Sequence, residues 1–322
     1  MSKGMCKLRS LNPVFSHFPF YNPINMPRYD LCLAWNWEYD RDFVNLLEIA
    51  CNNIGLAFYS VTPESLDSTL AGLSAGEIFF TAFLDRASEA DPRFQPLVDW
   101  ARNRHIFRIN RQEMAVWSTD KATMHLEFVS RGLDTPYTIL LSPCNEQPGL
   151  PPIDLSPLGG RFAIKPASTG GGEGVVLEAA SLDQVLSVRW QFPQEKYLLQ
   201  AQVTPQVLEG RPAWFRVLVC SGAVYPNWWD QNTHVYIPVK AEERFHFGLR
   251  CLFELPRRIA QICCLDLFST EIAMRLDGRF LVVDYVNDPV DLRLQSKAVD
   301  GVPDATVESI SNRLARLVDI RR

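Results

Sequence analysis

Arg161 to Leu177 reads RFAIKPASTGGGEGVVL, and it decides how the rest of the chain is understood. Phe162 and Ile164 alternate with Ala163 and the lone cation Lys165, a strand that Pro166 ends. Gly170, Gly171, Gly172 and Gly174 then lie between two hydroxyl residues, Ser168 and Thr169, and the apolar run Val175 to Leu177. Glycine permits positive φ and close approach, so this loop can aim backbone N–H groups at phosphate oxygens. Lys165 can reach the same oxygens as a point charge. Taken alone, the stretch fits a flexible hairpin with a surface lysine equally well. A Walker-type phosphate loop and a dinucleotide fingerprint both open a helix. Here β-branched Val175 and Val176 follow the glycines, so neither applies.

With 322 residues the chain is long for one core, and two or three domains are expected. Its 47% hydrophobic and 21% charged residues describe an ordinary globular protein. A formal net charge of -5 and a pI near 5.6 lack the footprint of a nucleic-acid binder. No apolar run approaches the ~20 residues that cross a bilayer, and MSKGMCKLRSLNPVF has no signal-peptide core behind its cations. The cysteines show no zinc-site spacing and mostly sit in apolar segments, which suggests free thiols in a reducing cytoplasm.

Residues 1 to about 28, rich in Pro, Phe and Asn, are expected to form an extended arm. Strands are expected over 29–35, 56–61, 78–83 and 105–109. Helices are expected over 40–56, 62–73 and 94–104, which together make a small parallel α/β domain. A helix over 120–132 and a strand over 138–141 follow, then a proline-rich loop over 142–157. Beyond the glycine loop come a helix over 182–190 and a strand over 197–203. The segment 214–219 turns at Ser221-Gly222, and the aromatic stretch Pro226 to His234 (PNWWDQNTH) reads as a loop and a candidate acceptor pocket. A helix is expected over 255–265. Asp277-Gly278 marks a hairpin between 270–276 and 279–286, and a helix over 307–320 closes the chain.

That last hairpin carries Glu271 on one arm and Asp284 on the other, with Asn287, Asp288, Asp291 and Arg293 after it. Opposed like charges destabilise a sheet unless a cation lies between them. Carboxylate and amide oxygens suit a hard cation such as Mg²⁺, whose remaining positions substrate phosphates fill. A solvated acidic hairpin end is the other reading. Asp284 argues against it by closing the apolar run Phe280 to Val283.

In this order the segments resemble the ATP-grasp superfamily, in particular carboxylate–amine ligases with a glutathione synthetase-type ATP-binding domain. Lys121 in STDKATM resembles the family's first ATP-binding lysine. IKPASTGGGEGVVL resembles the second lysine, Lys165, with its phosphate-covering loop. YLLQAQV resembles the strand whose backbone meets adenine, which would involve Gln200, Ala201, Gln202 and Val203. WFRVLVCSGAV resembles the Arg-Val strand, with Arg216 placed for phosphate or acyl phosphate. STEIAMRLDGRFLVVDYVND resembles the metal hairpin, with Glu271, Asp284 and Asn287 as ligands.

The resemblance implies an ATP-grasp fold with α/β and α+β parts. It divides the chain into an arm and Rossmann-like pre-ATP-grasp domain over 1–115, a glycine-loop subdomain over 116–204 and a metal-site subdomain over 205–322. Two features depart from the family. Ala201 replaces the usual hinge acid. Asp284 and Asn287 are three apart, which in a regular strand puts them on opposite faces. Either a bulge near Val286 restores them to one side, or Asp288 takes the place of Asn287.

The implied activity is ATP-dependent joining of a small-molecule or peptide carboxylate to an amine, with Mg²⁺ or Mn²⁺ as cofactor and Arg216 and Arg293 stabilising the transferring group. A kinase acting on a hydroxyl, or a nucleotide-binding protein without turnover, are the alternatives. Neither nucleic acid nor membrane is an expected partner. The oligomeric state is left open, with a dimer one option.

Overall fold

The structure, a computed structural model, describes residues 27–322, so the expected arm lies almost wholly outside the described residues. Strands β1 (Arg28–Trp35), β2 (Phe58–Val61), β3 (Phe79–Arg86) and β4 (Phe107–Ile109) form a parallel sheet in the order β2-β1-β3-β4. Helices α1 (Arg41–Asn53), α2 (Leu66–Ala75) and α3 (Gln95–Asn103) make the crossovers. The near-continuous apolar run of β1 reflects burial on both faces. Cys32 and Ala34 meet α2 and α3, and Leu31 and Leu33 meet α1.

Helices α4 (Gln112–Thr119) and α5 (Lys121–Ser130) lead to a four-stranded antiparallel sheet. Its strands are β5 (Thr138–Leu141), β6 (Phe162–Pro166), β7 (Val176–Ala179) and, after α6 (Leu182–Arg189), β8 (Tyr197–Ala201). They lie in the order β5-β8-β6-β7, which makes the glycine loop the β6–β7 connection. The expected strand over 197–203 ends at Ala201, whose N–H bonds the Tyr137 carbonyl at 2.9 Å.

A short ribbon, β9 (Val207–Leu208) with β10 (Arg211–Pro212), precedes the largest sheet. This contains β11 (Trp214–Cys220), β12 (Ala223–Trp229), β13 (Tyr236–Pro238), β14 (Leu267–Met274) and β15 (Phe280–Asn287). Helices α7 (Ala241–His246) and α8 (Cys251–Cys263) lie between β13 and β14, and α9 (Asp304–Arg321) follows β15. The sheet is antiparallel in the order β13-β12-β11-β14-β15. One face buries Phe215, Val217 and Ile272 against Leu252 of α8, and Phe268 and Tyr285 against α5.

On the opposite face Leu218, Cys220 and Leu267 pack on α9. Through Ile310, Leu314 and Val318, α9 joins the same core as Leu31, Leu33 and Leu47. The final helix of the chain therefore completes the first sheet.

The aromatic stretch is corrected here. Pro226–Trp229 is not loop but the second half of β12, with Arg216 opposite Asn227. The turn comes later, where Asp230 Oδ1 accepts from the Asn232 and Thr233 N–H groups at 2.8 and 2.9 Å. The Asn227 amide donates to the Tyr225 carbonyl within the strand. Trp228 lies on the face away from Arg216, packed on Phe215 with Arg211 over its ring at 4.2 Å. Among the described residues no helix is long and apolar enough to cross a membrane.

Candidate active site

One row of side chains crosses four adjacent strands of the large sheet. Asn227 of β12 pairs with Arg216 of β11, Arg216 with Glu271 of β14, and Glu271 with Asp284 of β15. Two steps along β14, from Glu271 to Ser269, match three along β15, from Asp284 to Asn287. One step on the other side, from Glu271 to Ile272, matches two, from Asp284 to Val282. An extra β15 residue therefore flanks Asp284 on each side, and such a bulge re-aims the side chains that follow it. As a result Asn287 reaches Asp284, donating from Nδ2 to Oδ2 at 3.0 Å. Asp288 is engaged elsewhere, where Asn110 Nδ2 donates to its Oδ1 at 2.9 Å.

Both oxygens of Glu271 are held. Arg216 Nη1 donates to Oε1 at 2.8 Å and Trp214 Nε1 to Oε2 at 3.0 Å. Arg216 also bonds the buried Ser269 hydroxyl at 3.2 Å and lies over the Trp229 ring at 5.2 Å. Burial opposes ionisation of both acids. In Glu271 burial prevails over the pull of Arg216 and raises the pKa. In Asp284 the combined charges of Lys165, Lys121 and Arg216, with the Asn287 hydrogen bond, outweigh burial and lower it. Three cations thus converge on one ionised carboxylate.

Lys121 begins α5, which Asp120 caps by accepting from the Thr123 N–H at 2.7 Å. Its Nζ donates to the Thr169 carbonyl at 2.6 Å, tying the helix to the glycine loop. Burial first, and Lys165 second, lower its pKa against the opposing pull of Asp284. In the loop, Thr169 Oγ1 donates to the Glu173 carbonyl at 2.8 Å, and the Ser168 N–H donates to Glu195 at 3.0 Å. Gly171, Gly172 and Gly174 have positive φ. A Cβ on Gly174 would lie 2.5 Å from the Phe192 ring and 2.9 Å from Pro166, whereas Gly170, Gly171 and Gly172 face open space. The loop is thus pinned at Gly174 and open at its tip.

The remaining expected residues divide. Gln200 is buried, and its amide is committed to the Val283 carbonyl and the Tyr285 hydroxyl at 3.3 and 3.1 Å. Its amide nitrogen therefore ties the two antiparallel sheets together. Gln202 is exposed and donates to the Leu177 carbonyl and to Glu178. Val203 packs with Trp214, Leu281 and Val283 at the edge of the site. Arg293 is clamped by Asp291 and Asp300 at 2.7 and 2.9 Å and lies over Trp37 at 5.7 Å. Its charge is already matched by two acids, unlike that of Lys165.

Sequence reading missed Trp214, Glu195 and Asn110. Trp214, two residues before Arg216, has a legible signal in the period-2 alternation of β11. Glu195 and Asn110 act through contacts distant in sequence and leave none. Among the described residues no group of three or more His, Cys, Asp or Glu side chains gathers as a metal site. Two acids and an amide are what this face offers.

The sequence matches no protein-family model and no curated protein. Solved structures do resemble it. The ATP-grasp ligase PsnB, complexed with minimal precursor, Mg and ADP, is 14% identical with a TM-score of 0.58 over 91% of this chain and 98% of that one. D-alanine–D-alanine ligase from Bacillus anthracis, complexed with ATP, is 12% identical with a TM-score of 0.61 over 92% and 98%. A RimK domain ATP-grasp protein from Sphaerobacter thermophilus is 18% identical with a TM-score of 0.60 over 89% and 99%. The chain has the ATP-grasp fold. Within that fold the glycine loop is the β6–β7 connection of the smaller antiparallel sheet, and the Glu271–Asp284 row lies on the larger one.

Proposed function

We propose that this ATP-grasp protein is an ATP- and Mg²⁺-dependent ligase that joins a carboxylate to an amine and releases ADP and phosphate. The observation that carries the reading is the Asp284–Asn287 hydrogen bond beside Glu271, with Lys121, Lys165 and Arg216 around the same carboxylate. Three oxygen donors from two acids and an amide fit Mg²⁺, which characteristically leaves its other positions to phosphates and water. Asn287 spends its N–H on Asp284, which leaves its oxygen for the cation. Glu271, Asp284 and Asn287 would hold Mg²⁺, which would neutralise charge on the polyphosphate.

The residues of the chain do the positioning. Lys121 and Lys165 hold the α- and β-phosphates, and the loop from Ser168 to Gly174 presents N–H groups and covers them. Adenine meets the backbone of Ala201, Gln202 and Val203. Arg216, fixed by Glu271 and Ser269, steadies the transferring group with its planar guanidinium. The γ-phosphoryl passes to the substrate carboxylate. The amine then attacks the acyl phosphate, losing a proton and expelling phosphate. PsnB is complexed with a precursor peptide and the Bacillus enzyme is a D-alanine–D-alanine ligase, so a peptide or a small acid fits the acceptor side. Buried free thiols at Cys32, Cys51 and Cys220 suit a reducing cytoplasm.

The test is product analysis after incubation with ATP, Mg²⁺ and pooled amino acids and peptides. An amide product with ADP and phosphate is expected. A phosphorylated hydroxyl product identifies a kinase, and nucleotide binding without ADP release identifies a protein without turnover; either result overturns the ligase.

A further inference from the structure

A second positively charged hollow lies apart from the nucleotide face, where the α3–β4 region meets the ends of α8 and α9. It is a cavity of about 530 Å³ whose walls include Arg102, His105, Arg108, Arg111 and Arg321, with Asp266 as the acid among them. The concentration of arginine is notable in a chain whose formal net charge is -5. Arg102 and Arg108 are paired outward with Asp99 and Glu113, each at 2.7 Å. Arg111 and Arg321 make no ion pair within 4 Å among the described residues, and residues 1–26 contain no Asp or Glu to supply one. The Arg321 guanidinium lies over the Phe107 ring at 5.4 Å, which fixes it at the cavity wall.

Four arginines thus face three carboxylates. Of the three, only Asp266 lines the cavity, and burial disfavours its ionised form while Arg321 and Arg111 favour it. Two unmatched guanidiniums on one hollow present several N–H donors in a fixed fork, the arrangement that suits the multiple oxygens of a phosphate. Phe107, half-buried, adds an apolar wall for whatever the phosphate is attached to.

We propose that this cleft is a second anion site, shaped for a small phosphorylated molecule. It is connected to the metal hairpin through a single side chain. Asn110, next to Arg111, accepts from the Asp266 and Leu267 N–H groups at 2.7 and 3.0 Å. Through Nδ2 it donates to the Leu267 carbonyl at 2.6 Å and to Asp288 at 2.9 Å. The wall of the cleft and the residue after Asn287 therefore share one amide.

Calorimetric titration with inorganic pyrophosphate in a Lys165→Ala background tests the site apart from the nucleotide face. One equivalent is expected to bind, weakening as salt rises. Adding Arg111→Glu and Arg321→Glu is expected to reduce affinity at least about tenfold. Circular dichroism checks the fold. Arg321→Glu alone, at the exposed end of α9, serves if the double reversal does not fold. Failure of Lys165→Ala protein to bind pyrophosphate up to millimolar concentration, or equal affinity after charge reversal, overturns the site.

Discussion

Asn287 donates a hydrogen bond to Asp284 at 3.0 Å although the two stand three residues apart on one strand. The extra residue between them on β15 makes this possible, while the Asp288 carboxylate bonds Asn110 instead. Asp284→Asn is expected to abolish Mg²⁺-dependent turnover. Asn287→Ala is expected to raise the Mg²⁺ requirement by about 10–100-fold, the range for groups that hold or orient metal ligands. Asp288→Asn keeps the bond from Asn110 and is expected to leave the requirement unchanged. Initial rates against free Mg²⁺ check all three. A normal requirement in Asn287→Ala with a raised one in Asp288→Asn would reverse the assignment.

Lys165 lends its charge to Asp284 without an ion pair within 4 Å among the described residues, so its removal is expected to act mainly on ligand binding. Lys165→Ala is expected to weaken ATP affinity at least about tenfold by calorimetry. Stability is expected to stay within about 1 kcal/mol, because no packed core or ion pair is lost. Unchanged ATP affinity would sink the assignment of the loop.

The glycines of the loop are not equivalent. Gly174→Ala puts a Cβ into Phe192 and Pro166 at positive φ, and about 1–3 kcal/mol of stability is expected to be lost. Gly170 has open space and no positive φ, so Gly170→Ala is expected to be nearly neutral. Thermal melts of the two variants side by side check the contrast. Equal losses would mean that Gly174 is not the pinning point.

A buried relay joins the two antiparallel sheets, in which Gln200 donates to the Tyr285 hydroxyl and Tyr285 lies 2.8 Å from His125 Nδ1. The Tyr285 hydroxyl and His125 Nδ1 share one hydrogen bond, with the tautomer of the ring setting which of them donates. Burial lowers the His125 pKa from 6.5. Between 6.5 and that lower value the unfolded chain holds a proton that the folded chain does not, so this contribution to stability falls as pH falls through the window. His125→Gln retains a hydrogen-bonding partner for Tyr285 without titrating. Its Tm is expected to decline less steeply below pH 6.5 than that of the natural chain, and parallel declines would refute the relay.

Much of this was legible beforehand because it is local. The strand Thr138–Leu141 and the Asp277-Gly278 turn each depend on residues adjacent in sequence. Lys121, Lys165, Arg216, Glu271 and Asp284 stand in an order that resembles a known superfamily. What was illegible depends on distant partners. The bonds from Gln200 to Val283 and Tyr285 of β15 leave no trace in the sequence, and Pro226–Trp229 reads as a loop until Arg216 stands opposite Asn227. The Asp284–Asn287 spacing allowed two answers, and only the register against β14 distinguishes them.

The packing of α9 beneath β1 sets a schedule for the newly made chain. Leu31, Leu33 and Leu47 are synthesised well over two hundred residues before Ile310, Leu314 and Val318, which share their core. Through most of synthesis the first sheet has one side incompletely covered. Loss of the last helix, by a premature stop or a protease, would thus unseat residues at the opposite end of the sequence. The first sheet is fully covered only once α9 has been made.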